Sequence, residues 1–301
     1  MQDAQDQPLD ALVIGAGPAG LAGSLYLRRF HRRVELIDRG DSRAQRIPLS
    51  HNVPGFPRGI AGRELLARMR EQLQEASGKV RLGCVERLER EGDEFIARLD
   101  DGTSLRARFV LLATGTTDHE PQLPGVAELR AAGLLRQCPI CDGHEFAGRR
   151  IAVIGSGLHG VREARFLRHF SERILFIASH APAEPDDALL TVLRERDIDM
   201  LPGTAIAMRP LPDDGVEITM TGGQTTHADV VYSALGCNPH AELAVALGAA
   251  TDDSGNLMID GHCRTSVEGL YAAGDVTAGL DQISVAAGQA AIAATAIHNA
   301  L

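Results

Sequence analysis

One supersecondary pattern occurs twice in this chain of 301 residues, and it restricts the possible folds more than any other feature. An apolar run, Ala11-Leu12-Val13-Ile14, ends in Gly15-Ala16-Gly17-Pro18-Ala19-Gly20, after which Leu21, Leu25 and Leu27 continue a helical pattern. The order returns at Ile151-Ala152-Val153-Ile154, Gly155-Ser156-Gly157-Leu158-His159-Gly160 and a helix reaching Phe170. Glycines at such a strand-to-helix turn let the backbone bend sharply and approach a pyrophosphate, whose charge the helix N-terminus then faces. In the first copy a strand over 34–37 ends in Asp38, where a carboxylate can hold ribose hydroxyls.

Each copy is followed by a meander and a closing strand. After the first, residues 80–82, 85–90, 95–99 and 105–107 read as short antiparallel strands with a turn at Asp101-Gly102, and 109–115 reads as a separate buried strand. After the second, a strand over 174–177 leads to a meander around 205–211 and 216–220 and a closing strand at 230–236. The remaining tail, with Gly269 to Val276 and a helix of small residues, has no nucleotide turn of its own, so it completes the first domain. The expected fold is α/β: two Rossmann-like dinucleotide-binding domains, the second inserted into the first. The expected boundaries are 1–117 with 241–301, and 118–240, with Pro121, Pro124 and Pro239 in the connectors.

The chemistry sits just ahead of the second glycine turn, at Cys138-Pro139-Ile140-Cys141 followed by Asp142-Gly143. Two thiols separated by two residues close a small disulfide ring and exchange electrons in pairs. No second Cys pair or His cluster supplies the other half of a zinc site, so no metal is expected. The other cysteines, 84, 237 and 263, are scattered and read as packing residues, not a disulfide framework. A formal net charge of -10 speaks against nucleic acid as a partner. The polar, acidic first residues and the lack of an apolar run of about 18 residues predict a cytoplasmic protein without a membrane span.

In this order, the motifs resemble the low-molecular-weight thioredoxin reductase family over nearly the whole chain. The resemblance implies FAD on the first fold, held by Gly15, Gly17, Pro18, Ala19 and Gly20 with Asp38 at the ribose. Asn52-Val53-Pro54-Gly55 is similar to the family's Asn-x-Pro-Gly turn, Ala113-Thr114-Gly115 to its Ala-Thr-Gly, and Gly274-Asp275-Val276 to its Gly-Asp-Val, whose Asp holds the ribityl chain. Gln282 and Ile283 would open a last helix whose dipole stabilises charge on reduced flavin. Cys138, Cys141 and Asp142 match Cys-x-x-Cys-Asp, which implies Cys141 facing the flavin, Cys138 attacking a partner disulfide and Asp142 moving protons. The second fold, at Gly155, Gly157 and Gly160, would take NADPH or NADH. A homodimer, an inserted domain that rotates, and a thioredoxin-like protein or small disulfide as substrate also follow from the resemblance.

The chain departs from that family where the 2′-phosphate of NADPH is gripped. The family carries arginines after the second strand of the second fold, whereas residues 177–184 contain none; nor does an acid end that strand to favour NADH. Asp41-Ser42-Arg43-Ala44 replaces a Gly-Gly-Gln, and Asp281 stands where reductases carry Arg. Arg43 and Arg46 are candidate partners of the FAD phosphates, with a solvated basic loop as the equal alternative. These departures, and His144-Glu145, are similar to dithiol oxidases, although those carry His in place of Asp142. The leading expectation is an FAD-dependent disulfide reductase passing electrons from NAD(P)H through FAD and Cys138-Cys141. The alternatives are a dithiol oxidase with O2 as acceptor, a flavin disulfide reductase with a ferredoxin-type protein donor, and a redox-sensing flavoprotein without turnover.

Overall fold

A computed structural model describes residues 7–179, 187–212 and 215–301. The chain divides into two compact units, Met1–Thr117 with Asn238–Leu301, and Asp118–Cys237. The crossings between them pair as a two-stranded ribbon, Thr116–Asp118 with Cys237–Pro239.

In the first unit, Leu9–Ile14 lies between Val34–Asp38 and Ser104–Leu112, all parallel. Val80–Leu82 pairs in parallel outside Val34–Asp38, so it extends the nucleotide sheet and is not part of the antiparallel meander. The expected break between strands at 105–107 and 109–115 is also absent: Ser104–Leu112 is one continuous strand. Its first half pairs antiparallel with Glu94–Leu99, and its second half pairs in parallel with Leu270–Ala272. The strand therefore passes from a one-sided meander, where Arg106 faces out to Glu94 at 2.8 Å, into a sheet covered on both faces. Its hydrophobic pattern changes there, and that change reads as an end.

Helices Pro18–Arg29 and Ile283–Ala300 cover one face of this sheet. Their approach depends on small residues: Ala286, Ala290, Ala293 and Ala294 are buried, and a Cβ added at Gly23 would stand 2.5 Å from the Leu111 Cδ2 and 3.7 Å from the Ala290 Cβ. Leu21, Leu27, Leu36, Leu66 and Leu111 fill the core on that side, while Leu12, Ile14, Phe95, Val110 and Leu112 fill the other. Each such side chain contributes about 1.5 to 3 kcal/mol on burial.

In the second unit, Ile151–Gly155 lies between Ile174–Ala178 and Val230–Ala234, again parallel. Asp199–Pro210 extends the sheet beyond Ile174–Ala178 and turns into the hairpin strands Val216–Met220 and Thr225–Ala228. At the other edge the two-residue strand Leu135–Arg136 pairs with Val230–Ala234, placing Arg136 in register with Tyr232. Helix Gly157–Leu167 follows the glycine turn and stops three residues short of Phe170. No helix among the described residues is long and apolar enough to cross a membrane.

Candidate functional site

The first glycine turn is built by close backbone approach. Gly15 has φ +99°, in the left-handed region, and a Cβ on it would lie 2.3 Å from the Ala113 carbonyl oxygen. A Cβ on Gly20 would fall 1.7 Å from the carbonyl oxygen of Gly15, so helix and strand meet only because residue 20 has no side chain. Asp38 ties the turn from below: the backbone N–H of Ala16 donates to its Oδ1 at 2.8 Å, and that of Gly40 to its Oδ2 at 3.1 Å. A carboxylate has four lone-pair positions, so room remains for ribose hydroxyls.

Of the other candidate residues in this unit, Ala113-Thr114-Gly115 and Gly274 follow the neighbouring strand ends, while Arg43, Asn52, Gln282 and Ile283 make contacts of their own. Gly274 approaches the turn closely, since its added Cβ would stand 3.0 Å from the Ala19 Cβ. Its N–H donates to Gln289 at 2.8 Å. Thr114 Oγ1 donates to the His240 carbonyl at 2.6 Å, and the His240 N–H donates to the Gly115 carbonyl at 2.9 Å, which fixes the Ala113-Thr114-Gly115 turn against the returning chain. Asn52 donates from Nδ2 to Gln282 Oε1 at 2.8 Å while its Oδ1 accepts from Ser50 at 2.8 Å. Ile283 packs against Val53, Ile60 and Leu65. Arg43 stands within 2.7 Å of Asp275 and 3.3 Å of Asp281, an engagement with two carboxylates that its place in a basic loop does not reveal.

Three helices begin at candidate cofactor positions: Pro18–Arg29 after Gly17, Gly157–Leu167 after Ser156, and Ile283–Ala300 after Gln282. None has a side-chain cap bond or an acid in its first turn. The helices Gly62–Glu75, Val126–Ala131 and Glu242–Val245 all carry a first-turn glutamate. A positive helix end left without its own acid suits a ligand's negative charge. The crowded Gly15–Gly20 cradle, Asp38 and this bare helix end fit the pyrophosphate and ribose of FAD.

The second turn is equally tight. A Cβ on either Gly155 or Gly160 would stand 2.8 Å from the other's Cα, and the Ser179 N–H donates to the Gly155 carbonyl at 2.9 Å. Gly157 opens the helix with φ +52°. From His180 to Glu184, the stretch whose lack of arginine bears on NADPH lies outside the described residues.

Cys138 and Cys141 form a disulfide, with Cα atoms 5.3 Å apart. Cys138 is the N-cap of the short helix Pro139–Asp142, and the Cys141 N–H donates to its carbonyl at 2.9 Å. Asp142 follows into a largely closed setting. The Tyr232 hydroxyl donates to its Oδ1 at 2.6 Å, and an Arg136 nitrogen lies 3.4 Å from its Oδ2. Burial raises the carboxyl's pKa above the usual aspartate range, while the Tyr232 hydrogen bond and the Arg136 charge oppose that rise. Tyr232 itself is pushed far up by burial and by the facing carboxylate. The Arg136 guanidinium lies 5.5 Å over the Phe146 ring, which meets Tyr232 edge-on at 6.3 Å. Neither Arg136 nor Tyr232 is evident as a site residue in the sequence; the one signal is a basic residue two places before Cys138.

A largely enclosed carboxyl next to a disulfide, and two Rossmann-like units with glycine cradles, are the arrangement expected of an FAD-dependent thiol-disulfide oxidoreductase. The family model described as pyridine nucleotide-disulphide oxidoreductase matches residues 9–290, and the chain belongs to that family. It is 32% identical over 277 residues to the bifunctional thioredoxin reductase/thioredoxin of Mycobacterium leprae (strain TN), covering 89% of this chain and 60% of that protein's length. It is 27% identical to the thioredoxin reductase of Listeria monocytogenes, covering 96% of this chain and 92% of the relative. The crystal structure of thioredoxin reductase from Streptococcus pyogenes MGAS5005 superposes with a TM-score of 0.87 at 28% identity, over 97% of both chains.

Proposed function

We propose that this protein reduces a disulfide of a thioredoxin-like protein or small molecule with electrons from a reduced nicotinamide, through FAD and the Cys138-Cys141 dithiol. One observation carries the reading: the only disulfide among the described residues is followed directly by a largely enclosed carboxyl held by a tyrosine and an arginine. FAD, when bound, supplies the two-electron transfer between nicotinamide and dithiol. In this reading unit 1 is the FAD-binding domain. Gly15, Gly17, Pro18, Ala19 and Gly20 admit the pyrophosphate, Asp38 takes the ribose, and Arg43, Asn52, Ala113, Thr114, Gly115, Gly274, Asp275, Gln282 and Ile283 line the rest of the cofactor. Unit 2 carries the nicotinamide nucleotide at Gly155, Gly157 and Gly160 and the exchanging dithiol. Cys138 attacks the substrate disulfide, Cys141 resolves the mixed disulfide, and Asp142 gives the leaving thiolate its proton. A cytoplasmic homodimer completes the reading, on the resemblance to thioredoxin reductases.

A second reading rests on the arginine-free stretch 177–184. A 2′-phosphate without a guanidinium loses charge-assisted hydrogen bonds worth about 1.5 to 3 kcal/mol each. That favours a protein donor, or reverse flow from substrate dithiols to O2. Anaerobic titration with NADPH and then NADH, read at the flavin absorbance, separates the two. Rapid bleaching by either nucleotide supports the reductase and identifies its donor; bleaching by dithiols alone overturns it in favour of the second reading.

A further inference from the structure

Asp142 lies in a built environment that its motif does not explain. Arg136 and Tyr232 are register partners on adjacent parallel strands, and both reach the same carboxylate, one at each oxygen. The pair is remote in sequence from Asp142 on the tyrosine side, where donor and acceptor are 90 positions apart. Phe146 braces both, stacked on the guanidinium and edge-on to the phenol. We propose that Tyr232 and Arg136 are the positioning pair of this redox centre, holding the Asp142 carboxyl in the orientation in which it passes a proton to the thiolate leaving a substrate disulfide and takes one back. The proposal rests on the reading of Asp142 as the proton donor.

The step balances without further reagents. The Cys138 thiolate attacks one substrate sulfur, the substrate S–S bond breaks, and the departing thiolate takes the Asp142 proton. The Cys141 thiol then gives its proton back to Asp142 as its sulfur attacks Cys138, which re-forms the intramolecular disulfide. The second substrate thiolate takes from solvent the proton that Cys138 had lost. Two electrons leave the dithiol and enter the substrate. The groups facing Asp142 act in opposite senses on its ionisation: Tyr232 and Arg136 favour the carboxylate, while burial and the like charge of Glu145 disfavour it. The pair therefore keeps a largely enclosed acid within reach of ionisation.

The test uses the prereduced holoenzyme and two probes: a dialkyl disulfide, whose leaving thiol is basic and needs a proton, and an aromatic disulfide with an acidic leaving thiol, which does not. In Tyr232→Phe the ionisation seen in the pH-rate profile for the alkyl probe should move up by about 1 to 2 pH units, the size expected for a lost hydrogen bond to a charged group. Arg136→Gln should move it in the same direction. Release of the first aromatic thiolate, which precedes resolution by Cys141 and draws no proton from Asp142, should keep its pH dependence in both. Unmoved profiles, or equal slowing with both probes, overturn the positioning role. Asp142→Asn separates the two levels: if the ionisation survives there, the reading of Asp142 as the acid falls. If it vanishes there yet is unmoved in Tyr232→Phe and Arg136→Gln, the proposal alone falls.

Discussion

Asp38 shows how one buried carboxylate can organise the first glycine turn. It is 6% exposed, and its two oxygens accept from Ala16 N–H and Gly40 N–H. In Asp38→Ala both donors lose their partner, but they are not equivalent. Ala16 is fully buried, whereas Gly40 is exposed and can turn to water. Only one donor is stranded, and leaving a buried N–H without an acceptor costs about 1 to 3 kcal/mol. The apoprotein relieves that cost by loosening the turn and FAD binding restores it, so about 2 kcal/mol, at tenfold per 1.4 kcal/mol, should lower FAD affinity about 30-fold beyond any loss of ribose contact. Asp38→Asn keeps an oxygen for Ala16 and turns its amide toward exposed Gly40, so its loss should be well under half as large in free energy. Flavin fluorescence titration of the apoprotein, together with urea unfolding of the FAD-saturated variants, measures both effects. Equal losses in the alanine and asparagine variants, or an unfolding midpoint unchanged in Asp38→Ala, would refute the argument that the Ala16 bond organises the turn.

Gly160→Ala should lower the melting temperature and weaken nicotinamide nucleotide binding, because its Cβ meets the Gly155 Cα at 2.8 Å and overpacking of this kind costs about 1 to 3 kcal/mol; calorimetry and nucleotide titration check it. Arg43→Ala removes the guanidinium that engages both Asp275 and Asp281. Both pairs are partly solvated, so a loss of about 1 kcal/mol in flavin retention is expected, partly restored by added salt. Asp142 has a raised folded-state pKa, so the native state binds more protons than the unfolded chain and stability falls as pH climbs above the ordinary aspartate value of about 3.9. Asp142→Asn should remove that slope, so that the difference in unfolding midpoint from the parent protein grows in the variant's favour from pH 4 upward. A constant difference across that range would contradict the burial-raised carboxyl.

Both glycine turns, the acid at Asp38 and the Cys138–Cys141 pair are legible because each is a local pattern with one inexpensive conformation, and the return of the tail follows because it has no glycine turn on which to build a domain of its own. Residue 15 needs a left-handed turn, and Val13 and Leu36 need a sheet buried on both sides. The strand Ser104–Leu112 defeated such reading because a single strand changes environment midway, from half-exposed pairing with Glu94–Leu99 to full burial beside Leu270–Ala272. Val80–Leu82 did so because three residues carry no signal of parallel or antiparallel pairing.

The amino-acid order by itself determined the class of fold, the family and the redox pair, since these reside in residues close in sequence. The tertiary structure alone decided what surrounds them. Arg43 meets Asp275 across 232 residues, and Tyr232 meets Asp142 across 90. No periodicity encodes such pairs: a tyrosine within Val230–Ala234 reads as one more apolar strand residue until the register with Leu135–Arg136 brings its hydroxyl to the carboxyl beside Cys141. The charge state of that carboxyl follows from burial and from these two partners, and both are properties of the folded chain.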